Sequence, residues 1–180
     1  MNIPRIVITG APASAKTEFI ERLKPMPEFG QFTFFEELAR KLLGENSSGR
    51  DNPEKFHRRI YDAQTKREGE LGERPFITDR GTLDAFAFHP ESINLIGTTF
   101  ECEYRRYTAV MHLGTAASLG ENFYAQDDIR TDSIEEALKI DRALSEIWSG
   151  HDSYNYVAAE IEIEQKFREF ITLLRGLIIQ

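Results

Sequence analysis

Residues 5–19 read RIVITGAPASAKTEF, and the fold turns on how this stretch is read. Arg5 to Thr9 is a short β-branched run, typical of a buried parallel strand. A Gly/Pro/Ala turn follows. From Lys16 to Lys24, residues Phe19, Ile20 and Leu23 share one helical face, and Pro25 and Pro27 stop the helix. Strand, turn and amphipathic helix form the frame of a phosphate-binding loop, whose pattern is G-x-x-x-x-G-K-[ST]. Gly10 opens that pattern and Lys16-Thr17 closes it, but Ala15 stands in the second glycine position. If the backbone must be left-handed there, the Cβ costs about 1–2 kcal/mol, or about tenfold in affinity. If it is near helical, alanine costs almost nothing.

The rest of the chain repeats the alternation of strand and helix. Gln31 to Phe35 is aromatic and extended, and Glu36 to Leu43 is helical up to Gly44. Glu45 to Asn52 reads as a loop. Asn52-Pro53 opens a long helix carrying Phe56, Ile60, Ala63 and Leu71 near one side. Pro75 to Thr78 is a third strand, ending in Asp79-Arg80-Gly81. Helical signals follow at Leu83–Phe88 and Ile93–Cys102, and Tyr107 to Leu113 reads as a central strand. Gly114 to Arg130 has little periodicity. Ser133-Ile134-Glu135-Glu136 fits a capping box for a helix to about Trp148. Tyr154 to Ala158 makes a fifth strand, and Phe167, Phe170, Ile171, Leu174 and Leu177 mark a last helix. Strands separated by helices predict an α/β fold, a three-layer αβα sandwich around a five-stranded parallel sheet. No linker divides the chain, so residues 1–180 read as one domain, with a lid segment at about 114–130.

Composition sets limits on partners. In 180 residues, 22 basic and 30 acidic side chains give a formal charge of −8, which repels an extended nucleic acid but not a small anion in a local pocket. Cys102 is the only cysteine, so no disulfide framework forms within one chain. His57, His89, His112 and His151 show no ligand spacing for a structural metal. No stretch has the length of a membrane span and the start lacks a signal peptide, so a cytoplasmic protein is expected, monomer or homodimer.

Ligands of such sheets bind beyond the C-terminal ends of the strands, which nominates the stretches richest in chemistry. The loop Gly10, Ala11, Pro12, Ala13, Ser14, Ala15, Lys16 and Thr17 would cradle phosphates with backbone N–H groups. Lys16 would reach the β- and γ-phosphates and the Thr17 hydroxyl would sit on Mg²⁺. Asp79 either binds Mg²⁺, directly or through water, or caps the segment starting near Thr82. Arg80 faces anionic substrate groups or makes a surface ion pair. Glu37 is a general base for a substrate hydroxyl or a solvated first-turn glutamate. Arg130 either tips a lid that brings positive charge to a phosphoryl transition state or pairs with Asp127, Asp128 or Asp132. Lys55, Arg58, Arg59, Lys66 and Arg67, interleaved with acidic residues, read as a solvated helix face from which one arginine could reach an anionic substrate.

TGAPASAKT, FFEELARKLL and ITDRGTLDAFAFHP, together with IRTDSIEEALKIDRALSEIW, resemble a family of small P-loop ATP-binding proteins called simply an AAA domain. The chain is also similar to the kinase domain of NadR-type nicotinamide riboside kinases and, more distantly, to thymidylate kinase. The resemblance implies a P-loop NTPase of the kinase-like kind with ATP and Mg²⁺ as cofactors. It puts Lys16 and Thr17 at the triphosphate, Asp79 at the metal, and Glu37, Arg80 and Arg130 on the substrate or phosphate side. No ring-forming AAA+ module is implied, because its lid domain needs more chain. The departure is Ala15, where the family usually has glycine.

Two functions fit these features. One is an Mg-ATP-dependent phosphotransferase acting on a small hydroxylated metabolite, of nucleoside or riboside type. The other is a nucleotide-binding regulatory switch with little turnover; a P-loop kept only as a scaffold is a third, weaker fit. No guanine-reading N-K-x-D motif is present, which favours ATP over GTP.

Overall fold

The computed structural model describes residues 3–38, 42, 53–87, 92–124 and 133–178. Strands β1 (Arg5–Thr9), β2 (Thr33–Phe35), β3 (Phe76–Asp79), β4 (Ala109–Leu113) and β5 (Tyr154–Val157) form one sheet in the order β2-β3-β1-β4-β5. Every pairing is parallel, as strands joined through helices require. The α-helices that lie wholly within the described residues are α1 (Lys16–Leu23), α2 (Pro53–Leu71), α3 (Ser92–Ile96), α4 (Phe100–Tyr104), α5 (Ile134–Trp148) and α6 (Ile163–Ile178).

The period-two alternation of the central strands feeds two cores. Ile6 and Ile8 of β1 face a cluster with Phe19 and Leu23 of α1 and Phe170 and Leu174 of α6. Val7, between them, faces the opposite cluster with Leu83, Phe86, Leu144 and Trp148. The result is the expected three-layer α/β fold, with β1 buried at its centre. No helix among the described residues is long and apolar enough to cross a membrane.

Local differences from the sequence reading have physical causes. Thr82–Phe86 winds as a 3-10 helix, with Asp84, in the middle of the apolar run, turned inward to the partners described below. The segment read as helical over 93–102 is two short helices, broken at Gly97 (φ 81°) and restarted at Thr99, whose side chain accepts from the Cys102 amide. Ser133 and Glu136 make the capping box that opens α5. After β4 come two 3-10 turns, Ala116–Leu119 and Glu121–Phe123. Most of the helix expected over 36–43, the loop 45–52 and Arg130 lie outside the described residues.

Phe170 is fully buried, with its ring 5.3 Å from Phe19 and 6.1 Å from Phe167. Phe170→Ala is expected to destabilise the fold by about 3–5 kcal/mol, read as a lowered urea midpoint with the slope unchanged.

Candidate functional site

The sheet order sets β3 directly beside β1, with Asp79 level with Ile8. The loop after β1 and the Asp79-Arg80 end of β3 therefore meet at one edge. β4 flanks β1 on the other side, with His112 level with Thr9, and carries the next loop alongside.

The conformation of the Gly10–Thr17 loop answers the question posed by Ala15. Gly10 has φ 150°, and a side chain there would run into the Leu113 carbonyl oxygen and Ser14 Oγ. Ala15 is left-handed, at φ 68° and ψ 17°, so the Cβ carries the cost of about 1–2 kcal/mol. Ala13 is also left-handed, at φ 60°.

The loop's backbone is asymmetric in its hydrogen bonding. Its carbonyls are held from within the protein: Lys16 Nζ donates to Gly10 O at 2.7 Å and Ala11 O at 3.4 Å. Thr115 Oγ1 donates to Pro12 O at 2.5 Å, and the Ala116 amide to Ala13 O at 3.1 Å. Lys166 Nζ donates to Ser14 O at 2.9 Å, and the Phe19 amide to Ala15 O at 3.0 Å. The amides of residues 13–17, by contrast, donate to no partner among the described residues. Donors left over on one side of a strained loop at a helix N-terminus make a nest for an anion.

Lys16 is 8 % exposed. Burial, with the nearby Arg80 charge, pulls its pKa down to about 8 against the opposing pull of Asp79, Glu37 and Asp84. Asp79 is also buried, and burial pushes its carboxyl above the usual range despite the charge of Lys16. Its Oδ2 accepts from Thr17 Oγ1 at 3.3 Å. Its Oδ1 is buried with no hydrogen-bond partner, a costly condition for a carboxylate oxygen. Gly81, not Asp79, occupies the cap position of the Thr82–Phe86 turn, so the capping role is absent. An orphaned carboxylate oxygen beside a hydroxyl is an oxygen donor pair that fits a hard divalent cation. Among the described residues no cluster of three or more metal-binding side chains exists, so such a cation would take its other ligands from water and phosphate.

Arg80 is left-handed (φ 70°), and Thr78 Oγ1 donates to its carbonyl at 2.9 Å. Its Nε donates to Glu37 Oε1 at 2.8 Å and its Nη1 to Asp84 Oδ2 at 3.3 Å. Burial alone would lower the Arg80 pKa, but Glu37, Asp84 and Asp79 together raise it, so the guanidinium stays charged. Asp84 is in turn fixed by Thr9 Oγ1 at 2.7 Å and Trp148 Nε1 at 2.7 Å. The structure thus brings Lys16, Thr17, Glu37, Asp79 and Arg80 to one edge. Arg67 leaves the solvated face of α2: it donates to Glu36 O at 2.7 Å and lies over the Phe35 ring at 4.7 Å, whereas Arg58–Asp62 and Lys66–Glu70 stay on the exposed face.

Asp84, Trp148 and Lys166 belong to this edge and escaped the sequence reading. Lys166 carried a signal: it shares the four-residue spacing of Phe170 and Leu174, which puts a lysine on the apolar stripe of α6. Its burial, and the charge of Lys16, lower its pKa to about 8. A groove of about 720 Å³, lined in part by Arg5, Arg106 and His151, opens at the other end of the sheet. There Arg106 is tied to Glu68, and His151 to Tyr107 O and the Ser153 amide, so it offers none of the chemistry found at the loop.

If phosphates bind at this loop, Lys16 gains an anionic partner and its pKa rises in the complex above the value of about 8 in the free protein. Binding then favours the protonated lysine. Affinity for Mg-ATP is expected to be complete below about pH 8 and to fall above it, by at most about tenfold per unit. Titrations at several pH values should show this slope in the wild type and a shallower one in Lys16→Met, where Lys166, also lowered to about 8, still titrates.

A profile of the family described as an AAA domain matches residues 5–166, from the first residue of β1 to Lys166 in α6. No curated protein matches the chain. The matched span contains the sheet, the phosphate loop and the Asp79-Arg80 edge, and it implies nucleotide binding. The chain belongs to the AAA domain family.

Proposed function

We propose that this protein is an Mg-ATP-dependent phosphotransferase acting on a small hydroxylated metabolite of nucleoside or riboside type, a reaction like that of nicotinamide riboside kinases and thymidylate kinase. The observation that carries this reading is the Glu37–Arg80 pair, joined at 2.8 Å beside the phosphate loop. Nucleotide binding alone has no use for a carboxylate–guanidinium pair at the end of the neighbouring strands.

In this reading the free amides of residues 13–17 hold the phosphates, and Lys16 turns from the Gly10 carbonyl toward the β- and γ-oxygens. Thr17 and Asp79 would hold Mg²⁺, which supplies charge neutralisation at the phosphates. Glu37 accepts the proton of the acceptor hydroxyl as its oxygen bonds to the γ-phosphorus and the bond to the ADP oxygen breaks. Arg80 orients Glu37 and balances its charge before the proton arrives. Arg130, in the lid segment of about 114–130, would add positive charge to the transition state.

The second reading, a nucleotide-dependent switch with little turnover, draws on the left-handed Ala15, which weakens phosphate binding. ADP release from Mg-ATP, followed across a panel of nucleosides and ribosides, separates the two. A phosphotransferase gives an acceptor-dependent rate. Glu37→Gln then lowers kcat by about 10²–10⁴-fold, the range of general-base catalysis, with Mg-ATP affinity kept within a few-fold. A basal rate that no acceptor accelerates would favour the switch.

A further inference from the structure

Lys166 is 2 % exposed and comes from the far end of the sequence. Its ammonium donates to Ser14 O at 2.9 Å and to Gly114 O at 2.6 Å. In a trans peptide the C=O and the following N–H point in opposite directions. Holding Ser14 O against α6 therefore turns the Ala15 amide the other way, toward the side on which the loop amides are unpartnered. The same peptide leads into Ala15, the left-handed residue that stands where the phosphate-loop pattern has glycine. A glycine reaches that conformation at little steric cost, whereas an alanine has to be held in it. Through Gly114 O the same ammonium fixes the start of the segment after β4, whose Thr115 and Ala116 hold the Pro12 and Ala13 carbonyls.

We propose that Lys166 is a positioning residue for the phosphate loop, holding the Ser14–Ala15 peptide in the anion-receptive conformation and so replacing the missing glycine. The proposal rests on the reading of this loop as the nucleotide phosphate site. Lys166 touches no reacting atom in this account. It acts through the peptide plane, and its importance depends on which residue follows that peptide.

That dependence is the test. Mg-ATP affinity is measured by calorimetry for wild type, K166M, A15G and the double variant K166M/A15G, well below each melting temperature. K166M is expected to bind at least tenfold more weakly than wild type. In the A15G background the same substitution should cost threefold or less, because glycine needs no holding. L174A, a buried cavity variant in the same helix, should lower the melting temperature without changing affinity, which separates loop positioning from general loosening of α6. An equal loss from K166M in both backgrounds, or no loss in either, overturns the proposal. Urea unfolding of the same four proteins without nucleotide gives an independent reading. K166M should lower the midpoint less in the A15G background, and additive effects would count against the proposal. If wild type binds no Mg-ATP, the nucleotide reading fails, and this nucleotide-free cycle alone decides whether Lys166 holds Ala15.

Discussion

The loop after β1 can present its amides to a ligand only because other parts of the chain occupy its carbonyls. Each donor comes from a different place: Lys16 from the loop's own end, Phe19 from α1, Thr115 and Ala116 from beyond β4, and Lys166 from α6. A backbone group buried without a partner costs about 1–3 kcal/mol, so these donors are what keep the loop from collapsing onto itself. The sheet order makes the arrangement possible. With β3 and β4 on either side of β1, the loop is flanked by a carboxylate-bearing edge on one side and by its carbonyl donors on the other.

Such a site stores unfavourable terms that a ligand can relieve. Ala15 and Arg80 are left-handed without being glycine, each costing about 1–2 kcal/mol. Asp79 carries an unpartnered oxygen, and Lys16 and Lys166 are both buried, which lowers the basicity of each. Strain of this kind concentrates at functional sites. A polyanion with its cation would satisfy the free amides, the Lys16 ammonium and the Asp79 oxygen together. In a chain of net charge −8, the unpartnered amides and Lys16 supply local positive potential for such a ligand.

Much of this was legible in the sequence where local signals agreed with the global fold. The β-branched run at Arg5–Thr9, the Gly10–Thr17 spacing and the carboxylates ending the second and third strands led to the edge where the structure gathers them. The capping box at Ser133 set the start of α5 correctly. Asp84 and Lys166 were missed for one cause: each is a polar residue inside an apolar run. Asp84 interrupts Leu83-Ala85-Phe86, and its bonds to Trp148 and Thr9 join parts of the chain that sequence spacing cannot connect. Lys166 lies on an apolar helical stripe, yet its acceptors are carbonyls, which leave no trace in residue identity. The backbone angle at Ala15 depends on the whole loop, so sequence could pose that question without answering it.

The central claim is that the Gly10–Thr17 loop holds nucleotide phosphates despite Ala15. Calorimetric titration of Mg-ATP into wild type and Lys16→Ala at pH 7 tests it most directly. The account predicts saturable one-to-one binding by the wild type and a loss of about 100-fold or more in the variant, the order expected when a buried charge-assisted contact is removed. Equal affinities in the two proteins, or no heat of binding by the wild type up to millimolar nucleotide, would contradict it.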